Sequence, residues 1–187
     1  MRIGILGGSF DPIHHGHLIT AQVLREQLAL DTVRLVPTAH QPLKPAGHFA
    51  SAEHRGTMVG LAVADAPGMA VDMREVERGG LSWTVDTLRA IGAELPGAEL
   101  VLLVGTDAAA GLAGWREAEA LPGLATVVTF SREGQGVGAG GVATPNIAIS
   151  STAVWARVRA GLSIRYWVPE VVAEYVATHR LYRDGMT

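Results

Sequence analysis

Short unbroken apolar runs alternate with longer segments of helical period along the whole chain, and this alternation constrains the fold more than any other feature. "RIGIL" at 2–6, "TVRLV" at 32–36, "MAVDM" at 69–73, "ELVLLV" at 99–104 and "LATVVTF" at 124–130 read as strands, with "NIAI" at 146–149 as a last short one. Between them Leu18, Ala21, Leu24 and Leu28 mark one helix face, and Val85, Leu88, Ile91 and Leu95 mark another. Near the end of the chain Val171, Val172, Tyr175, Val176 and His179 share a side of a helix whose first turn holds Pro169. Helix starts are predicted near Ser51, near Ser82 and at Ser150 or Ser151, with Gly161 as the stop of the helix that follows Ser151. Strands that are apolar throughout, rather than at every second residue, are buried on both faces. The expected class is therefore α/β, a parallel sheet with helices on both faces, in a single domain over residues 1–187. Such sheets bind their ligands beyond the C-terminal strand ends.

Composition narrows the function by exclusion. At 187 residues, 48% hydrophobic and 18% charged, the chain suits one globular domain. A net charge of −3 supplies no broad field for a polynucleotide backbone, so no nucleic-acid partner is expected. With no cysteine, disulfides, thiolate catalysis and Cys-type zinc sites drop out, and with no matching acid spacing beside the histidines no protein-held metal is expected. The opening apolar run carries Arg2 and is broken by Gly7 and Gly8, and no other run approaches a membrane span. A cytoplasmic protein without a membrane partner is the expectation. Two loops stand out: "PTAHQPLKPAGHFAS" is long enough to be functional or mobile, and "EGQGVGAGGVATP" predicts mobility with no core role.

The chemistry is concentrated in "GGSFDPIHHGH". Glycines directly after a strand let the backbone turn tightly and approach a ligand, and the amides that open the next helix point N–H donors at any anion there. The spacing is neither GxGxxG nor a P-loop, so neither of those phosphate fingerprints applies. His14 and His17 flank Gly16 and, three apart near a helix start, reach the same side. Imidazoles there can donate to phosphate oxygens and match charge that grows on departing pyrophosphate. Single histidines of this kind also occur as surface or capping residues, and a histidine cluster also reads as a metal site. Asp107, at the end of the strongest strand, suits a ribose hydroxyl or the cap of the next helix, and Trp115 suits either a stacked ring or core packing.

These residues resemble a known family. "GGSFDPIHHGH" is similar to the signature of the nucleotidyltransferases that carry an HxGH motif, and "ISSTAV" resembles their second phosphate motif. With "ASAEHR", "SWTVDTL", "LVGTDAAAGLAGW" and "SIRYWVPEVVAEYV", the likeness extends over nearly the whole chain to the bacterial nicotinate-nucleotide adenylyltransferases. The resemblance implies a Rossmann-like sheet and transfer of AMP from ATP to nicotinate mononucleotide, giving deamido-NAD and pyrophosphate, with Mg²⁺ bound alongside the ATP phosphates. It implies catalytic roles for His14, His17 and Lys44. Gly8, Ser9, Phe10, His14, His17, Asp107, Ser150, Ser151, Thr152 and Arg157 are then the ATP contacts. Ser9, Phe10, Lys44, Thr84, Trp115 and Arg132 are the mononucleotide contacts, with the nicotinate carboxylate at the backbone amides near Thr84.

Three departures from the family pattern are visible. Leu43 stands where a histidine usually precedes the basic loop residue, Glu133 replaces the proline usual after the arginine, and Trp155 occupies a position generally held by arginine. Either Arg157 takes over the triphosphate contact or another cation does. ATP and nicotinate mononucleotide are the expected partners, and a homo-oligomer is left open. The alternatives are a related HxGH adenylyltransferase, such as the pantetheine-phosphate enzyme, or a non-catalytic nucleotide-binding module. An aminoacyl-tRNA synthetase fragment ranks last, because 187 residues leave no room for a tRNA-binding domain.

Overall fold

A computed structural model describes residues 1–42, 47–132 and 140–183, without the Arg132 side chain. Six strands, β1 (Arg2–Gly8), β2 (Thr32–Pro37), β3 (Met69–Val71), β4 (Glu99–Gly105), β5 (Thr126–Arg132) and β6 (Val142–Thr144), form one sheet. Every pairing is parallel and the order is β3-β2-β1-β4-β5-β6. The chain therefore reverses its direction of travel across the sheet between β1 and β4. There the connections leave on opposite sides and open a crevice at the C-terminal strand ends.

Alternate residues of the central strands feed two separate cores. Leu6, Leu35, Val101 and Leu103 face α1 (His15–Gln27), α2 (Ala52–Val63), α7 (Ser151–Arg159) and α8 (Glu170–Thr178). Ile3, Ile5, Leu102 and Val104 face α4 (Thr84–Glu94) and α6 (Leu121–Leu124). This two-sided burial is the physical reason the strands read as unbroken apolar runs. Two short helices complete the set, α3 (Arg74–Arg78) and α5 (Thr106–Ala109).

Several expectations need correction. "NIAI" at 146–149 is not a strand; among the described residues the last strand is β6, inside the glycine-rich segment whose composition predicts no core role. Val142 and Thr144 are buried, and β6 pairs along the edge of β5, so backbone hydrogen bonding there outweighs a weak composition signal. Ser82 does not cap α4: Trp83 holds that position without a side-chain cap, and Ser82 Oγ accepts the Ala39 amide at 2.9 Å. Gly105, not Asp107, is the N-cap of α5. Val171 stays exposed on α8, where Val172 and Val176 carry the packing. Other starts are as predicted, with Ser51 and Ser150 accepting from His54 N and Ala153 N at 3.3 and 3.2 Å.

Candidate active site

The turn from β1 into α1 is shaped by steric fit. Phe10 adopts φ +46°, a left-handed conformation that costs a non-glycine residue on the order of 1–3 kcal/mol. Burial of its ring, 3% exposed, contributes about as much in return. A Cβ on Gly8 would lie 3.0 Å from that ring, so glycine is what lets Phe10 fold back under the strand end. Phe10 then meets His17 edge-on at 5.1 Å, and His17 stacks on His14 at 3.7 Å with planes 22° apart. Gly16 faces the His14 ring, where a Cβ would approach Nδ1 to 3.0 Å.

The histidines divide their roles. His14 is buried at 5% exposure and supplies the N-cap of α1, whereas His17 is half-buried. The His14 amide donates to His17 Nδ1 at 3.3 Å, which makes that atom an acceptor and puts the neutral ring's proton on Nε2. The His15 amide is also engaged, with the Trp167 carbonyl at 3.1 Å. Two donors that the sequence offered to an anion are thus used internally, which leaves the Gly16 amide as the next donor at this helix start.

The frame beneath the turn depends on two charged groups that no motif singled out for this role. Asp11, 1% exposed, accepts from Phe49 N (2.8 Å), Ala50 N (3.2 Å) and the Tyr182 hydroxyl (2.8 Å). Burial, followed by the charge and hydrogen bond of Asp11, pushes the Tyr182 hydroxyl far above the ordinary phenol range, so it remains a donor. Arg55, fully buried, donates to the carbonyls of Ser9 (2.7 Å), Thr38 (2.6 Å), Ala39 (2.9 Å) and Ala50 (3.2 Å). Burial lowers its pKa while Asp11 works in the opposite direction. Four carbonyl acceptors offset the desolvation of the guanidinium and tie the β1–α1 turn to both ends of the long loop.

The start of α7 docks against this turn. Ser151 Oγ donates to the Pro12 carbonyl at 3.2 Å, and Trp155 Nε1 donates to the Asp11 carbonyl at 2.6 Å. The tryptophan at the family's arginine position is therefore a strut; it also packs on Phe49 at 4.1 Å. With the Ser150 hydroxyl capping the helix and that of Ser151 docking it, the amides at 151 and 152 and the exposed Thr152 hydroxyl are what α7 presents to an anion. Arg157 gives Nε to the Ser163 carbonyl at 2.7 Å and lies 4.8 Å over the Trp167 ring.

Beside the histidine pair a cavity of about 350 Å³ occupies the crevice between β1 and β4. Gly7, Gly8 and Ser9 line one part, Thr84, Trp83 and Trp115 another, and Asp107 a third. Phe10, His14 and His17 flank this cavity rather than line it. Ser9 is oriented by Gln41 Oε1 (2.8 Å) and His48 Nε2 (3.0 Å). Sequence reasoning missed Trp83, Arg116, Thr38 and Glu75 as lining residues. The guanidinium of Arg116 lies 5.5 Å over the Trp83 ring, and the bulk of that tryptophan next to Thr84 was the signal available. Lys44 falls outside the described residues, as does Glu133. The backbone of Arg132 pairs with Thr144 at the end of β5. Among the described residues, no three His, Asp or Glu side chains form a metal-holding group, and no helix is long and apolar enough to cross a membrane.

A parallel sheet with a reversal crevice, a second helix start docked on the turn before a stacked histidine pair and an aromatic-walled cavity define a nucleotide-binding protein of the Rossmann-like kind. The model of the cytidylyltransferase-like family matches residues 5–157. The chain is 42% identical to a Gemmatimonas aurantiaca protein over 98% of its length and 93% of the relative's. It is 43% identical to one from Thermus thermophilus over 98% and 100%. Both relatives carry the description "Probable nicotinate-nucleotide adenylyltransferase". The chain belongs to the cytidylyltransferase-like family and, within it, to the nicotinate-nucleotide adenylyltransferases. The fold agrees with that of Plasmodium falciparum nicotinic acid mononucleotide adenylyltransferase complexed with NaAD, at TM-score 0.77 and 16% identity over 100% of this chain and 99% of that one.

Proposed function

We propose that the protein transfers AMP from ATP to nicotinate mononucleotide, releasing pyrophosphate and forming deamido-NAD, as one cytoplasmic domain over residues 1–187. The observation that carries this reading is the docking of the α7 start on the β1–α1 turn that leads into the His14–His17 stack, beside a cavity with tryptophan walls. A mononucleotide phosphate oxygen attacks the α-phosphorus of ATP, which enters as its magnesium complex. The new P–O bond forms as the bond to the β-phosphate oxygen breaks, and negative charge grows on that oxygen. The nucleophile is already ionised, so no general base is needed, and catalysis reduces to aligning two polyanions and offsetting their repulsion.

His17 Nε2–H and the amides at 16, 151 and 152 are the donors for the triphosphate, and His14 orients His17 through the stack and its own amide. Gly8, Ser9 and Phe10 set the approach of both phosphates, Asp107 takes a ribose hydroxyl, and Arg157, Lys44 and Arg132 supply cationic reach. Trp115 stacks on the pyridine ring, while the uncapped start of α4 at Thr84 receives its carboxylate. Pyrophosphate release measured side by side with nicotinate mononucleotide, nicotinamide mononucleotide and phosphopantetheine tests the reading. Turnover with the first is expected. Turnover with phosphopantetheine alone would move the chain to another branch, and binding of ATP without any product would make it a non-catalytic module.

A further inference from the structure

Glu75 is the buried acid that the proposed chemistry leaves without a task. It is 5% exposed on α3, yet it forms part of the wall of the β1–β4 cavity together with Thr38, Ser82, Thr84 and Thr87. Its Oε1 accepts the Thr87 hydroxyl at 2.5 Å. Its Oε2 is buried and has no hydrogen-bond partner among the described residues, and the same holds for Thr38 Oγ1 on the same wall. Orphaned polar atoms are rare in folded proteins, and two on one cavity wall point to a ligand that completes them. Thr87 lies one turn along α4 from Thr84, on the same helix face. The free oxygen of Glu75 is therefore anchored next to the helix start that receives the ring carboxylate in the proposed function.

We propose that Glu75 is a specificity-determining residue whose Oε2 gives a hydrogen bond to the ring carboxylate of the mononucleotide, favouring the acid over the amide. The inference rests on the proposed function and deepens it. Burial raises the pKa of the carboxyl and nearby Asp72 adds to the rise, against the hydroxyls of Thr87 and Ser82 and the charge of Arg78. Among the described residues, Asp107 and Arg116 are the other charged groups on the cavity wall. Because Thr87 gives its hydrogen to Oε1, the acid proton belongs on Oε2, the atom without a partner. A neutral acid beside a carboxylate shares one proton with it; an ionised one repels it. An amide carries no charge and is indifferent to that difference.

The experiment compares kcat and KM for nicotinate and nicotinamide mononucleotides from about pH 6 to about pH 9 in the wild type, Glu75→Gln and Glu75→Met. The phosphate of both substrates titrates alike, so the amide substrate serves as the internal control. In the wild type the KM for the nicotinate substrate rises with pH while that for the amide stays level. Glu75→Gln, a permanent neutral donor, keeps the nicotinate KM within about threefold and removes its pH dependence. Glu75→Met raises that KM roughly tenfold or more with little change for the amide, the scale for losing one hydrogen bond to a charged group. If Glu75→Met shifts both substrates alike, or Glu75→Gln follows the wild-type pH profile, the residue is structural and the inference falls alone. If the wild type turns over neither substrate, the proposed function falls and takes the inference with it. Should Glu75→Met not fold, the pH profile of Glu75→Gln decides.

Discussion

Replacing Gly16 with alanine separates fold from catalysis at a single carbon. The added Cβ would stand 3.0 Å from His14 Nδ1, 3.1 Å from Cε1 and 3.7 Å from the Ile149 carbonyl. Ordinary contact begins near 3.4 Å, so the ring must retreat by a few tenths of an ångström. Behind it lies His17 at a stacking distance of 3.7 Å, already in contact, and the displacement passes on. Alanine favours a helix over glycine by about 0.8–1 kcal/mol, against an overpacking cost of about 1–3 kcal/mol. Net stability should stay within about 2 kcal/mol of the wild type. A donor misplaced by a fraction of an ångström costs far more in rate, and we expect kcat to fall roughly 10- to 100-fold with a smaller change in KM. Pyrophosphate release and a thermal melt on the same sample read both quantities. A kcat within about twofold of the wild type would show that the His14–His17 stack does not align the phosphates.

The remaining perturbations address separate parts of the account. His17→Ala should lower kcat by about 10²–10³, the scale for losing one transition-state donor, while a denaturant titration shows the fold retained; unchanged turnover would remove His17 from the mechanism. Tyr182→Phe withdraws one of the three donors to buried Asp11 and should cost about 1–3 kcal/mol in denaturant unfolding; no loss would mean that Asp11 does not depend on the C-terminal segment. Burial alone would raise the Asp72 carboxyl, but Arg74 and Arg34 outweigh it and hold it below its ordinary value of 3.8. Its stabilisation is therefore present above about pH 4 and is lost as pH falls through the lower native value, so Asp72→Asn should flatten the acid limb of a stability–pH profile; an unaltered limb would contradict this.

What the sequence made legible was whatever depends on local pattern. Unbroken apolar runs marked the strands because both faces are covered, and Ser51 and Ser150 marked helix starts because their hydroxyls satisfy amides a few residues away. β6 was misplaced because its place is fixed by the edge of β5 rather than by its own residues. The histidine pair could be read, but its tautomer depends on the His14 amide and its stacking on Gly8 and Phe10 packing beneath it. Asp11, Arg55 and Trp155 bond to backbone atoms distant in sequence, and one sequence leaves such partners out of view. Glu75 stayed hidden for a similar reason: on a five-residue helix it reads as one more surface acid until the cavity appears.

The central claim is that one triphosphate is held between two helix starts and a histidine. A crystal structure with a non-hydrolysable ATP analogue tests it most directly. His17 Nε2 and the amides at 151 and 152 should then lie within about 3.2 Å of phosphate oxygens of a single analogue molecule. Phosphates bound clear of α7, or a His17 ring that does not reach them, would contradict it.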